Sequence, residues 1–114
     1  MNNYYSKNSE ILFLYDAKLT NPNGDPDDEN KRRMDYDKEV NLVSDVRLKR
    51  YIRDYLDSKG YEIFVSKIEG ETVDATKRLE KLLNKNKLGA LTMEDLDTIL
   101  SKLIDVRLFG ATMP

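Results

Sequence analysis

Carboxylates, lysines and tyrosines are the side chains left to do acid–base chemistry here, because the sequence holds neither cysteine nor histidine. Disulfides, thiolate nucleophiles and thiolate metal sites are thereby excluded, as is catalysis built on a serine–histidine or cysteine–histidine pair. Two groups of charged residues remain. The first is the acidic run Asp25, Asp27, Asp28 and Glu29, the residue type that hard cations take. Tested against the calcium-loop spacing, Asn21, Asn23 and Asp25 fall on the first, third and fifth positions. Pro26 then stands where glycine is required and Arg32 where the bidentate glutamate belongs, so the match fails. The run reads as a solvated turn whose Asn and Asp side chains cap their own backbone. No metal site, cofactor or catalytic residue is assigned.

The second group is basic. Lys31-Arg32-Arg33 leaves the acidic loop, and Lys49, Arg50 and Arg53 follow at helical spacing. Such a stretch is either an ordinary solvated helix face or a surface for phosphate oxygens, which guanidinium groups bind in bidentate fashion. The total charge of −2 conceals the segregation behind it: residues 1–30 sum to −4, residues 31–53 to +4 and residues 54–114 to −2. Tyr15 and Tyr61 are open to two readings, stacking on bases or packing at a strand.

These residues need elements to hold them. Ile11–Tyr15 is a continuous apolar run too short for a helix, and reads as a central strand buried on both faces. A polar, turn-rich stretch follows through about Asn41, predicting a long functional loop over 20–42. Ser44 suits a helix N-cap and Gly60 a C′ stop; between them Leu48, Ile52, Tyr55 and Leu56 share one face, and Lys49, Arg50 and Arg53 the opposite one. Tyr61–Ile68, ending before Gly70, reads as a second strand, which completes a βαβ unit. Two helices are predicted beyond it. Asp74 caps one that carries Leu79, Leu82 and Leu83; a capping box of Thr92 and Asp95 starts the other, with Leu96, Ile99, Leu100, Leu103 and Ile104 behind it. Arg107 suits either an ion pair with Asp105 or an outward contact, and Phe109 suits a core.

At 114 residues, 39% hydrophobic and 35% charged, the chain is at most one domain with a modest core. No apolar run approaches the ~20 residues that span a bilayer, and Met1–Tyr5 is no signal peptide, so a soluble cytoplasmic protein without a membrane partner is expected. A βαβ unit supplies two strands where a stable sheet wants three or more, and the sequence stops without a polar tail, as if interrupted.

Three motifs, in order, carry a resemblance: Asn21-Pro22-Asn23-Gly24-Asp25-Pro26, then Val43 to Arg53, then Asp105-Val106-Arg107-Leu108-Phe109-Gly110. Together they resemble the backbone subunit of type I CRISPR Cascade effector complexes, the Cas-seven family, subtype I-B or a close relative. The resemblance implies an α+β fold, a modified RNA-recognition-motif (ferredoxin-like) palm. Residues 1–70 would be its N-terminal, first βαβ half, and residues 71–114 a helical insertion leading toward a missing thumb and second half. It implies a non-catalytic RNA-binding subunit of an antiviral ribonucleoprotein. That subunit grips the CRISPR RNA guide without regard to sequence and supports recognition of target DNA through the guide. It stacks with copies of itself in a helical filament, beside other Cascade subunits. Motif matching carries guide contacts onto Ser44, Lys49, Arg50 and Arg53 of the first palm helix, onto Asn21, Asn23 and Asp25 of the loop, and onto Arg32 or Arg33. Relatives in other subtypes often carry arginine where Gly24 stands. Two alternatives are a metal-dependent ribonuclease using Asp25 or Asp27, and a small stand-alone RNA-binding or protein-interaction module.

Overall fold

Turn-forming side chains dictate the course of residues 21–44. The structure is a computed structural model that describes residues 5–68, 71–72 and 74–113, and the chain divides into two compact units, residues 1–44 and 45–114. In the first unit, β1 (Gly24–Asp25) pairs antiparallel with β2 (Lys31–Arg32), and β3 (Met34–Asp35) with β4 (Val40–Asn41). The Asp25 carboxylate accepts from the Asp27 N–H at 3.1 Å, and its carbonyl from the Asn30 N–H at 2.8 Å. Glu29 and Asn30 close that turn with φ of +51° and +58°. Asp35 caps the second turn by accepting from the N–H groups of Asp37 and Lys38. Residues 24–41, expected as an open loop, are therefore two successive hairpins. Their strands are two residues long and polar, so they leave no alternation of apolar residues to read.

Asn23 holds the hairpins together. It is buried; its side-chain oxygen accepts from the Ser44 N–H at 2.8 Å and its carbonyl from the Arg33 N–H at 3.1 Å. A Cβ at Gly24 beside it would lie 2.1 Å from the Asn30 side-chain oxygen, so a larger residue there requires that exposed side chain to move.

The second unit starts with α1 (Asp45–Ser58). Its end has a Schellman pattern: the Tyr61 N–H reaches the Leu56 carbonyl at 3.1 Å, the Gly60 N–H reaches Asp57 at 2.9 Å, and Gly60 has φ +91°. After β5 (Lys67–Ile68) and β6 (Glu71–Thr72), an antiparallel pair, come α2 (Ala75–Leu82), α3 (Met93–Lys102) and α4 (Ile104–Phe109). Asp74 caps α2 through the Lys77 N–H, and Asn84, at φ +54°, ends it in a second Schellman pattern. Both arms of the Thr92–Asp95 capping box form. Leu79, Leu82, Ile99, Leu103, Val106 and Phe64 make the buried core, with Leu83, Leu88, Leu91 and Met113 against it. Among the described residues no helix is long and apolar enough to cross a membrane.

Three expectations need correction. Ile11–Tyr15 forms no strand and is open to solvent, with Ile11 87% exposed. A doubly covered strand needs hydrogen-bonded neighbours on both edges, and the described residues provide only two-residue pairs. Tyr61–Ile68 is likewise not a strand except at Lys67–Ile68; Gly70, its expected stop, lies outside the described residues. The βαβ unit is thus not formed among the described residues. A break at Leu103 also divides the expected single final helix into α3 and α4.

Two outcomes test these local devices. Gly60→Ala should lower unfolding stability by about 1 kcal/mol, because the left-handed conformation penalises a Cβ; an unchanged urea midpoint would refute the cap. Asp95 is held below its ordinary value of 3.8, first by the hydrogen bond from Lys85 and then by the Thr92 N–H. The sign follows: this stabilisation is complete above the unfolded-state value and is lost as pH falls through the lower folded value. NMR titration should therefore find the Asp95 midpoint below that of the unfolded chain and raised by Lys85→Gln.

Candidate nucleic-acid interface

The cationic residues of α1 divide by what their charges already meet. Arg53 does not point outward. Its Nε donates to the Asp105 carboxylate at 3.0 Å, with the Arg53 side chain 11% and the Asp105 side chain 1% exposed. The same carboxylate accepts from the backbone N–H groups of Phe64 at 2.8 Å and Val65 at 3.2 Å. Asp105 thus supplies Phe64 and Val65 with the acceptors that a neighbouring strand would offer. The Arg53 guanidinium also lies 5.0 Å from the centre of the Phe109 ring, a cation–π arrangement. Helical spacing alone put Arg53 on the solvent face because the sequence does not say that α4 covers that side.

Lys49 and Arg50 differ. Lys49 pairs with Asp45 at 3.7 Å and Arg50 with Asp54 at 3.2 Å, each one turn along α1. Both carboxylates are open to water, at 82% and 63% side-chain exposure. Pairs of this kind contribute about 0.3–0.5 kcal/mol and are screened by salt, so a phosphate can replace them. Arg50 additionally donates to the Val65 carbonyl, and Lys49 approaches the Phe109 ring at 5.7 Å. One nitrogen of Arg50 is thereby steered while the other meets an exposed acid. The face carries acidic partners of its own, Asp45 and Asp54.

In the first unit, Arg32 is exposed, with its Nε 3.4 Å from the Met34 sulfur. Arg33 is half-buried and 3.9 Å from Asp25. Asn21 donates from its amide to the Asn30 carbonyl at 2.9 Å. Thr20, Asn21, Lys31, Arg32, Met34 and Tyr36 line one concavity, so Asn21 and Arg32 share a surface. Asn23, Asp25 and the Ser44 N–H are engaged in holding the hairpins and the turn. The Asp25 carboxylate accepts from the Asp27 N–H and faces Arg33. Among the described residues no three acids gather as a metal-ligand group.

The third motif has a structural reading residue by residue. Asp105 is the buried acceptor and Val106 belongs to the core. Asp105 pairs with Arg53 and not with Arg107, which is exposed and donates from Nη1 to the Leu100 and Ser101 carbonyls at 2.7 and 2.9 Å, closing the end of α3. Phe109 is half-buried beneath two cations, and Gly110, at φ +72°, ends α4. Asp105 could have been suspected from sequence as a lone acid within an apolar segment, but nothing there pairs it with Arg53, 52 positions away.

Comparison with known proteins agrees with the motifs. A family model described as CRISPR-associated protein Cas7 matches residues 7–114. A curated CRISPR-associated protein Cas7 from Haloferax volcanii is 42% identical over 109 residues, which cover 92% of this chain and 32% of the relative. The chain thus spans about a third of the length of the curated relative it matches. No solved structure matches the chain.

The division among the cations has a measurable consequence. Arg53→Gln should destabilise the second unit by about 3–5 kcal/mol, since it leaves a buried carboxylate without its charge partner. Lys49→Gln and Arg50→Gln should each stay within about 0.5–1 kcal/mol of the parent. Urea unfolding followed by circular dichroism separates these; equal effects for all three would overturn the division.

Proposed function

This chain belongs to the CRISPR-associated protein Cas7 family, and on that premise we propose that it forms part of a non-catalytic backbone subunit that holds a CRISPR RNA guide by its phosphates. One observation carries the reading: Lys49 and Arg50 stand half-exposed on α1, paired with exposed carboxylates that a phosphate can displace. Arg32, exposed beside Asn21 on the hairpin unit, adds a further cation and an amide. Each of these surfaces has charge but few groups suited to reading base edges, so it recognises backbone and not sequence. Arg53 then contributes indirectly, by fixing α1 against Asp105. Asn23, Asp25 and the Ser44 N–H likewise shape the loop and do not lend it free donors.

The same reading makes Ile11–Tyr15, which forms no strand among the described residues, the segment that would pair within an RNA-recognition-motif-like palm. Its support is the exposed apolar run itself, on which the Phe13 and Tyr15 rings lie tilted at 35° with centroids 5.7 Å apart. Pairing of the guide with target DNA, stacking of copies along it, association with other subunits of the complex and a cytoplasmic setting follow from the family reading.

The test uses this chain and two single-stranded RNAs of unrelated sequence. The two should bind equally, with log affinity falling linearly against log salt. Lys49→Glu/Arg50→Glu should lower affinity at least tenfold and reduce the salt slope by about 1.4, at roughly 0.7 per lost contact on a single strand. Unchanged affinity and slope in a folded double variant would refute the α1 face as the guide contact.

A further inference from the structure

We propose a second phosphate-binding site, in the helical part of the second unit and apart from the α1 face. A concavity there is lined by Glu62, Ser66, Arg78, Lys81, Leu82, Asn84 and Lys102. Three cations face one carboxylate. Arg78 is the built part of the site: the residue is 8% exposed, and its Nη2 is fixed by Glu62 Oε1 at 3.1 Å and the Ile63 carbonyl at 3.0 Å. Its Nε is buried with no acceptor among the described residues. Buried donors normally find acceptors, so an aligned guanidinium N–H lacking one is a feature that an anion oxygen would satisfy.

Lys81 and Lys102 make the surroundings unusual. They stand in the last turns of α2 and α3, where the helix dipole tolerates positive charge. Neither has an ion-pair partner among the described residues, whereas nearby Lys85 is held by Asp95 at 2.8 Å. The two ammonium groups therefore remain for a ligand. Ser66 and Asn84 add neutral hydrogen-bonding groups. A tetrahedral anion with several acceptor oxygens fits this mixture of one oriented guanidinium and two exposed ammonium groups. Apart from Leu82 the concavity's lining residues are charged or polar, so the matching ligand is a phosphodiester of a nucleic-acid strand. The choice of a nucleic acid rests on the proposed guide-binding reading; the site itself rests on Arg78, Lys81 and Lys102.

Titration of the chain with inorganic phosphate should shift the Arg78 Nε–H signal in NMR spectra, and a single-stranded RNA or DNA should shift it at lower concentration. Lys81→Gln/Lys102→Gln should abolish the phosphate shift and lower the RNA salt slope by about 1.4 at an unchanged urea midpoint. The Lys49→Glu/Arg50→Glu variant should keep the Arg78 shift, which separates failure of this site from failure of the α1 face. An Arg78 signal that ignores phosphate, or an unaltered shift in Lys81→Gln/Lys102→Gln, overturns the site. A response to inorganic phosphate with none to either strand overturns its assignment to nucleic acid.

Discussion

A single buried carboxylate organises the second unit. Asp105 receives two backbone N–H groups from residues 64 and 65 and the guanidinium of Arg53. A charge taken out of water is costly unless paired and hydrogen-bonded, and each of its three donors removes part of that cost. The arrangement ties α1, the segment that buries Ile63 and Phe64, and the start of α4 to one point. The Ile104 N–H, donating to the Glu62 carbonyl at 3.3 Å, reinforces the same junction. Hydrophobic packing around Leu79, Ile99 and Leu103 supplies the mass of the core, but it is non-directional. The carboxylate is what gives the junction its geometry.

This constraint decides which cations remain for a partner. Arg53 is committed to Asp105 and Phe109, and Arg78 is anchored by Glu62 and the Ile63 carbonyl. Lys49, Arg50, Lys81 and Lys102 stay at the surface, with weak partners or none among the described residues. Buried arginines that build the frame and exposed cations that face outward occur side by side on the same elements. A substitution series that treated the basic stretch as one surface would mix loss of folding with loss of binding. In the hairpin unit Asn23 has the matching role, a buried amide whose acceptor fixes where the chain leaves for residue 44.

Much of the local structure was legible in the sequence because local chemistry specified it. The Thr92–Asp95 box, the Asp74 cap and the Gly60 stop are encoded by neighbouring residues and are found as read. The basic stretch was visible as a charge imbalance, and the three motifs led to the family that the comparisons bear out. What was not legible depended on contacts distant in sequence. Arg53 was assigned to the wrong side of α1 because its partner lies in α4. Hairpins with two-residue polar strands leave no period to detect. Ile11–Tyr15 has the composition of a buried strand, yet strand formation is a property of its neighbours as well as of itself.

The central claim, that Asp105 and Arg53 form one structural unit, is tested most directly by a double-mutant cycle on urea unfolding of the chain. Arg53→Ala, Asp105→Ala and the double variant should yield a coupling of about 2–3 kcal/mol, with the double variant far less destabilised than the two single losses together. Losses that add to within about 0.5 kcal/mol would contradict the account.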